Sequence, residues 1–179
     1  MSDELKINRL AKEDIDVVYN VFAVTIPDTF LKENITLPGD LIKNEIELKK
    51  RLLDESIEGR GIFFLVAKLG ELVVGTVSYG PCGEDIRKCT NSALSRIGEL
   101  GSLFILPEYQ GMGIGSLLIK KMVSELSAQG IKRFCLDSGY KLAQKKWRRK
   151  FGEPYMTVKD YWGPGYDHMI WLCKVRGFI

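Results

Sequence analysis

The sequence predicts a mixed α/β domain. Its centre is one mixed, mostly antiparallel sheet of about six to seven strands, flanked by helices. Three observations carry this. The runs 62–67 and 72–77 are β-branched and aromatic and are separated by a turn at Gly70, the pattern of an antiparallel hairpin. Residues 99–106 are apolar on both faces, as a strand in the middle of a sheet is. Residues 113–129 carry apolar side chains at helical spacing and end at Gly130.

The elements follow in order. Residues 5–10 read as a short first strand, with Leu5, Ile7 and Leu10 as its apolar positions. Lys12-Glu13-Asp14 opens a helix whose acidic first turn suits the positive end of the helix dipole. Its apolar stripe is Ile15, Val18, Tyr19 and Phe22. Pro27, Asp28, Asn34, Pro38 and Gly39 make residues 25–40 a loop or a broken helix. A second helix is expected from Asp40 to about Glu58, with Ile42, Ile46, Leu48, Leu52 and Leu53 on its buried side. After the hairpin, residues 81–97 are polar and turn-rich and read as an exposed connection. The central strand comes next, then the helix 113–129 with Ile114, Leu117, Leu118, Met122 and Leu126 inward. Residues 131–137 read as a strand, 142–151 as a short basic helix, and 155–175 as one or two closing strands. No repeat, low-complexity tract or linker interrupts this order, so residues 1–179 are expected to form one domain.

Composition narrows the functional classes. With 45% apolar residues the chain can bury a core without disulfide or metal staples, and 27% charge with 6 prolines excludes a disordered tail protein. The excess of 26 basic over 23 acidic residues leaves only +3. That is mild for a nucleic-acid binder and compatible with an anionic small-molecule ligand. No apolar run approaches the roughly 20 residues of a membrane helix, and Met1-Ser2-Asp3-Glu4 does not open a secretory signal. Cys82, Cys89, Cys135 and Cys173 fall at no zinc-like spacing and read as reduced thiols, which points to the cytoplasm. The single His168 reads as structural or surface and argues against a metal site or a histidine-based triad. No metal is expected.

The most informative segment is 106–116, Leu-Pro-Glu-Tyr-Gln-Gly-Met-Gly-Ile-Gly-Ser, which follows the buried strand and runs into the amphipathic helix. Glycines at alternate positions let backbone N–H groups converge on one anion, and the helix N-terminus adds its own unsatisfied amides. The segment lacks the Gly-Lys-Ser/Thr of a Walker loop. It also fails the last glycine of GxGxxG, where Ser116 stands.

What it does match is Q/R-x-x-G-x-G/A, as Gln110-Gly111-Met112-Gly113-Ile114-Gly115. In this it resembles the acyl-CoA pyrophosphate loop of the GNAT superfamily of N-acetyltransferases. The preceding strand, the Pro-x-Tyr-Gln lead-in and the following helix fit that family's pattern. The element order extends the resemblance from about Leu5 to Val175. The resemblance implies acetyl-CoA as the acyl-donor substrate, held by Gln110, Gly111, Met112, Gly113, Ile114, Gly115 and Ser116 around its pyrophosphate. It also implies a pantetheine arm paired along the backbone of Leu103, Phe104 and Ile105, like an added strand. In the family this strand and the next splay apart, so that thioester and amine enter from opposite sides. Residues 25–40 and the tail after Tyr155 would then line the acceptor pocket.

Acyl transfer to an amine needs a neutral amine, a stabilised oxyanion and a proton for the leaving thiolate. Glu99, at the start of the central strand, is placed to accept a proton directly or through water; an exposed strand-end carboxylate is the equal alternative. Asp137, at the end of the next strand, is the second candidate base, though Asp is also a good helix cap. Members of the family carry a base on one or other of these strands. Their usual thiolate acid is a tyrosine in N-x-x-A-x-x-x-Y-x-x-x-G-F. Residues 140–152 keep Ala143 but carry Trp147 at the tyrosine position and lack the asparagine. An indole N–H is a donor that cannot give up its proton at useful pH. Tyr140, Tyr155, Tyr161 and solvent stay open as sources.

Lys141, Lys145, Lys146, Arg148, Arg149 and Lys150 read as a solvated helix face, or as a contact for the CoA 3′-phosphate. They lack the interleaved aromatic platform of a nucleic-acid surface. Cys135 reads as a core thiol. Trp162, Tyr166 and Trp171 pack on the sheet or line an acceptor pocket.

The resemblance therefore implies transfer of an acetyl group from acetyl-CoA to a primary amine of a small molecule or peptide, by direct attack in a ternary complex. Neither nucleic acid nor membrane is expected as a partner, and a homodimer is compatible. The missing tyrosine and asparagine keep a second reading open, a non-catalytic acyl-CoA-binding sensor or regulatory domain. The acceptor is not legible, because the fold hosts many of them.

Overall fold

In the computed structural model, which describes residues 4–36 and 39–177, the expected hairpin forms as β2 (Phe63–Leu69) and β3 (Leu72–Gly80). Leu69 pairs with Leu72 across Gly70-Glu71, and Gly70 takes φ +56°, the left-handed backbone that such a two-residue turn requires. The other strands are β1 (Leu5–Arg9), β4 (Glu99–Ile105), β5 (Arg133–Ser138), β6 (Met156–Val158) and β7 (His168–Lys174). Together they make one seven-stranded sheet in the order β1-β2-β3-β4-β5-β7-β6. The pairs β1–β2, β2–β3, β5–β7 and β6–β7 are antiparallel and β4–β5 is parallel. The helices among the described residues are α1 (Ile15–Lys32), α2 (Gly39–Ile57), α3 (Glu84–Cys89), α4 (Ile114–Ala128) and α5 (Lys141–Phe151). The mixed, mostly antiparallel architecture is the one the sequence predicts. No helix among the described residues is long and apolar enough to cross a membrane.

The chain packs as two compact units, Met1–Tyr79 with Ser102–Ser124, and Gly80–Gly101 with Glu125–Ile179. In the first, Val18, Val21, Phe22 and Ile26 of α1 are buried with Phe64, Leu65, Val66, Val74 and Val77 of the hairpin and Leu118 and Met122 of α4. Phe22 lies 6.3 Å from Phe64 and 5.4 Å, edge-on, from Phe104. In the second, Cys82, Ile86, Leu94, Cys135 and Ile170 form a core, and the buried Trp171 donates its indole N–H to the Gly152 carbonyl at 2.9 Å.

Of the two readings of residues 25–40, the loop fails over 25–32: α1 runs through Pro27 to Lys32, and the next helix begins at Gly39. Proline leaves the Ala23 carbonyl without its helical donor, at a cost of about 3 kcal/mol. Continuing the helix buries Ile26 and Phe30, about 1.5–3 kcal/mol each, which outweighs that loss. The Thr25 and Thr29 hydroxyls also donate back to the Val21 and Thr25 carbonyls at 2.7 and 2.8 Å. Pro38, also read as a breaker, lies outside the described residues. Residues 81–97 are not a bare exposed connection, since α3 forms there and inserts Ile86 into the core. Leu48 of α2 is exposed; Leu53 is the buried residue of that helix. Leu117 is 47% exposed and lines a shallow groove with Leu5, Ile7 and Lys120, while Ile119 and Val123 join the expected Ile114, Leu118, Met122 and Leu126 on the buried side of α4.

Candidate active site

The glycine segment leaves β4 through a 3-10 turn at Pro107–Tyr109 and ends at the N-terminus of α4. Gly111 and Gly113 sit at φ +79° and +83°, where a side chain costs about 1–2 kcal/mol, and a Cβ at either would meet no atom within 4 Å. The Gly113 carbonyl accepts the Ser116 and Leu117 amides at 3.0 and 3.1 Å, which starts the helix. The amides of Gly111, Met112, Gly113, Ile114 and Gly115 donate to no backbone carbonyl among the described residues. A run of unused donors at the positive end of a helix binds an anionic phosphate group well. Gly115 differs: its backbone is ordinary, and a Cβ there would rest 3.8 Å from Leu103 and 3.9 Å from Ile105. It serves packing of α4 on β4.

Two further features shape the start of this loop. Gln110 donates its side-chain amide to the Ile105 carbonyl at 2.9 Å and accepts from Lys32 at 2.9 Å, so it staples the loop to the end of β4 and to α1. Ser102, in mid-β4, has φ +47°, which breaks the strand's alternation. Its carbonyl accepts the Thr76 hydroxyl at 2.8 Å, an anchor that holds the strained residue in place. Leu103, Phe104 and Ile105 follow the break and are half-buried.

The two candidate bases lie in the second unit, with Glu99 and Cys135 in register across β4–β5. Glu99 accepts the Gly83 amide on Oε2 at 2.6 Å, just before α3. A Cβ on Gly83 would fall 2.5 Å from that oxygen, so any other residue there would oblige the carboxylate to shift. Asp137 lies opposite Ile170 on β7, and its Oδ2 is 3.1 Å from His168 Nε2. It does not cap α5, whose preceding turn is closed by Ser138 Oγ accepting the Tyr140 amide at 3.0 Å. His168 is 2% exposed, so the surface reading of this residue is corrected.

The tyrosine position fares as its residue type suggests. Trp147 is half-buried and packs on Phe151 at 5.5 Å. Tyr161 donates its hydroxyl to Asp85 at 2.7 Å, and that bond pushes its ionisation well above the usual phenol range, so it is a poor proton source. Tyr155 is exposed. Burial pushes the Cys82 and Cys135 thiols up as well, which makes them core groups.

The sequence carries no local signal for the His168–Asp137 contact, for Gly83 against Glu99 or for the break at Ser102, because each depends on a partner distant in sequence or on a backbone angle.

The chain matches the family model described as Acetyltransferase (GNAT) family over residues 30–166. Among solved structures it is similar to a GNAT-family protein from Desulfovibrio desulfuricans, with TM-score 0.73 and 18% identity over 96% of this chain and 99% of that one. It is similar to the PaiA N-acetyltransferase of Thermoplasma acidophilum in complex with coenzyme A, with TM-score 0.70 and 18% identity over 96% and 99% of the chains. A GNAT family acetyltransferase from Brucella melitensis in complex with acetyl-CoA gives TM-score 0.58 and 20% identity over 84% and 82%. At these identities the likeness is one of fold. No protein of curated function matches the sequence.

Proposed function

The chain belongs to the acetyltransferase (GNAT) family, and on that premise we propose that it transfers the acetyl group of acetyl-CoA to a primary amine of a small molecule or peptide. The amine nitrogen attacks the thioester carbonyl directly in a ternary complex, the C–S bond breaks, and a base takes the proton that the amine loses. Residues 1–179 act as one catalytic domain, monomeric or as a homodimer, in the cytoplasm.

The observation that carries this reading is the set of unused amides from Gly111 to Gly115 at the start of α4. They suit the pyrophosphate, with Ser116 beside them and Gln110 bracing the loop. The backbone of Leu103, Phe104 and Ile105, just past the break at Ser102, suits the pantetheine arm. Asp137 and Glu99 are the two carboxylates for proton acceptance. Each has one oxygen engaged, Glu99 by the Gly83 amide and Asp137 by His168; Asp137 is favoured because its Oδ1 meets no hydrogen-bond donor among the described residues. The thiolate takes its proton from solvent or from Tyr140 or Tyr155, since Tyr161 is committed to Asp85.

The test is thiol release from acetyl-CoA against a panel of polyamines, aminoglycosides, amino acids and peptides, with calorimetry for CoA itself. Turnover with at least one amine is expected. CoA binding without turnover on any amine would favour the second reading, an acyl-CoA sensor, which Trp147 at the acid position supports.

A further inference from the structure

The buried imidazole of His168 has both ring nitrogens engaged. Nε2 is 3.1 Å from Asp137 Oδ2, and Nδ1 is 3.1 Å from the Trp162 indole nitrogen. An indole N–H can only donate, so Nδ1 must carry the lone pair and the proton must sit on Nε2. The neutral ring therefore donates to Asp137. Protonating Nδ1 would set one N–H against another, so His168 cannot pass a proton along without expelling Trp162.

The surroundings hold this order in place. On the β5–β7 ladder Asp137 faces Ile170, which puts His168 two residues on and on the same face. The indole lies against Gly139, where a Cβ would fall 2.5 Å from its nitrogen, so a side chain at 139 would push the ring away. Tyr161 packs 4.8 Å from Trp162 and 5.1 Å from His168, and its hydroxyl is tied to Asp85 at 2.7 Å. The Asp137 side chain is 25% exposed, and its Oδ1 has no hydrogen-bond donor among the described residues.

We propose that His168 is a positioning residue of the acetyl-transfer site: held in its Nε2–H tautomer by Trp162, it fixes Asp137 through Oδ2 and leaves Oδ1 as the proton acceptor. This rests on the acetyltransferase reading above. Asp137 takes the proton from the attacking amine at Oδ1 and later returns it to solvent, while the imidazole stays neutral throughout. The fixed orientation is the contribution, since a base misplaced by about 1 Å costs on the order of 10²-fold in rate.

The test has one arm that needs no activity. His168 is the single histidine of the chain, so ¹⁵N-labelled protein gives one imidazole spectrum. At neutral pH it should show a protonated Nε2 and a bare Nδ1, and Trp162→Phe should perturb Nδ1 while the fold persists. An Nδ1–H tautomer or an imidazolium overturns the proposal. In the kinetic arm, on the best amine of the panel, His168→Leu should lower kcat about 10–100-fold with KM for acetyl-CoA within about two-fold. His168→Gln, which restores a donor near Nε2, should recover most of the rate. If His168→Leu does not fold, His168→Gln and Trp162→Phe carry the comparison, both folded, with Trp162→Phe the slower. Added to Asp137→Asn, the histidine change should cost little more, because it acts through the same carboxylate. Wild-type rates in His168→Leu, or in Trp162→Phe where that variant stands in, or full additivity with Asp137→Asn, overturn the proposal. An inactive wild type sinks the acetyltransferase reading and this proposal together, and is recognised by that inactivity.

Discussion

Replacing Gly113 and Gly115 one at a time should separate the two jobs that the glycines of the loop perform. Gly113→Ala puts a side chain at φ +83°, costing about 1–2 kcal/mol, and its Cβ projects into open space on the loop's outer side. At about 2–4 °C per kcal/mol for a chain of this size, Tm should fall by about 2–8 °C. The same Cβ narrows the space in which the unused amides would meet a pyrophosphate, so CoA affinity should drop about tenfold or more, or about 1.4 kcal/mol. Gly115→Ala has an ordinary backbone, meets Leu103 at 3.8 Å in normal contact, and gains about 1 kcal/mol of helix propensity. It should hold or raise Tm and leave CoA affinity within about two-fold, because the new Cβ rests on Leu103 and Ile105 and its amide is unchanged. Gly113→Asn is the control: asparagine tolerates the left-handed region, so Tm should recover while affinity stays low. The assay is a thermal melt with and without CoA, paired with calorimetry. Equal loss of affinity at 113 and 115, or unchanged affinity in a folded Gly113→Asn protein, would refute the assignment of these amides to the ligand.

Asp137→Asn should lower kcat by about 10²–10⁴-fold at neutral pH and recover partly as pH rises, because more amine then arrives deprotonated; a pH–rate profile checks it. Glu99→Gln should stay within a few-fold, since the amide oxygen can still accept the Gly83 N–H, and a larger loss would move the base to Glu99. Burial pushes Cys135 up and holds Cys173 at about 12. Both should resist alkylation at pH 8 in the native protein and react on unfolding, whereas the half-buried Cys89 reacts first; peptide mass spectrometry reads the order. Pro27→Ala restores a donor to the Ala23 carbonyl and should stabilise the protein by about 2 kcal/mol, after the greater freedom of the unfolded chain is set against it. Calorimetric unfolding measures that change.

What the sequence revealed is what periodicity and turn chemistry encode. The hairpin around Gly70, the apolar strand that becomes β4 and the stripe of α4 are contiguous patterns, so each could be read in place. The helix through Pro27 could not, because the local rule against proline is overridden by burial of Ile26 and Phe30 that only the fold supplies. Ile86 was hidden in a polar stretch because its core partners, Cys135 and Ile170, lie on other strands. The candidate site divides the same way. The amides of the glycine loop follow from a contiguous motif, whereas the Asp137–His168–Trp162 chain spans 31 residues in sequence and closes only through the β5–β7 register. Gly83 and Gly139 look like ordinary turn glycines until Glu99 and Trp162 are seen pressed against them.

The proposed transfer of an acetyl group from a CoA thioester to an amine nitrogen is tested by following free thiol and acetylated amine together, with a thiol-reactive dye and mass spectrometry, as acetyl-CoA is mixed with the amine panel. One thiol should be released per acetyl group found on nitrogen, with at least one amine, and the rate should collapse in Asp137→Asn. Tight CoA binding with no acetylated amine anywhere in the panel, or turnover equal in wild type and in both the Asp137→Asn and Glu99→Gln proteins, would contradict it.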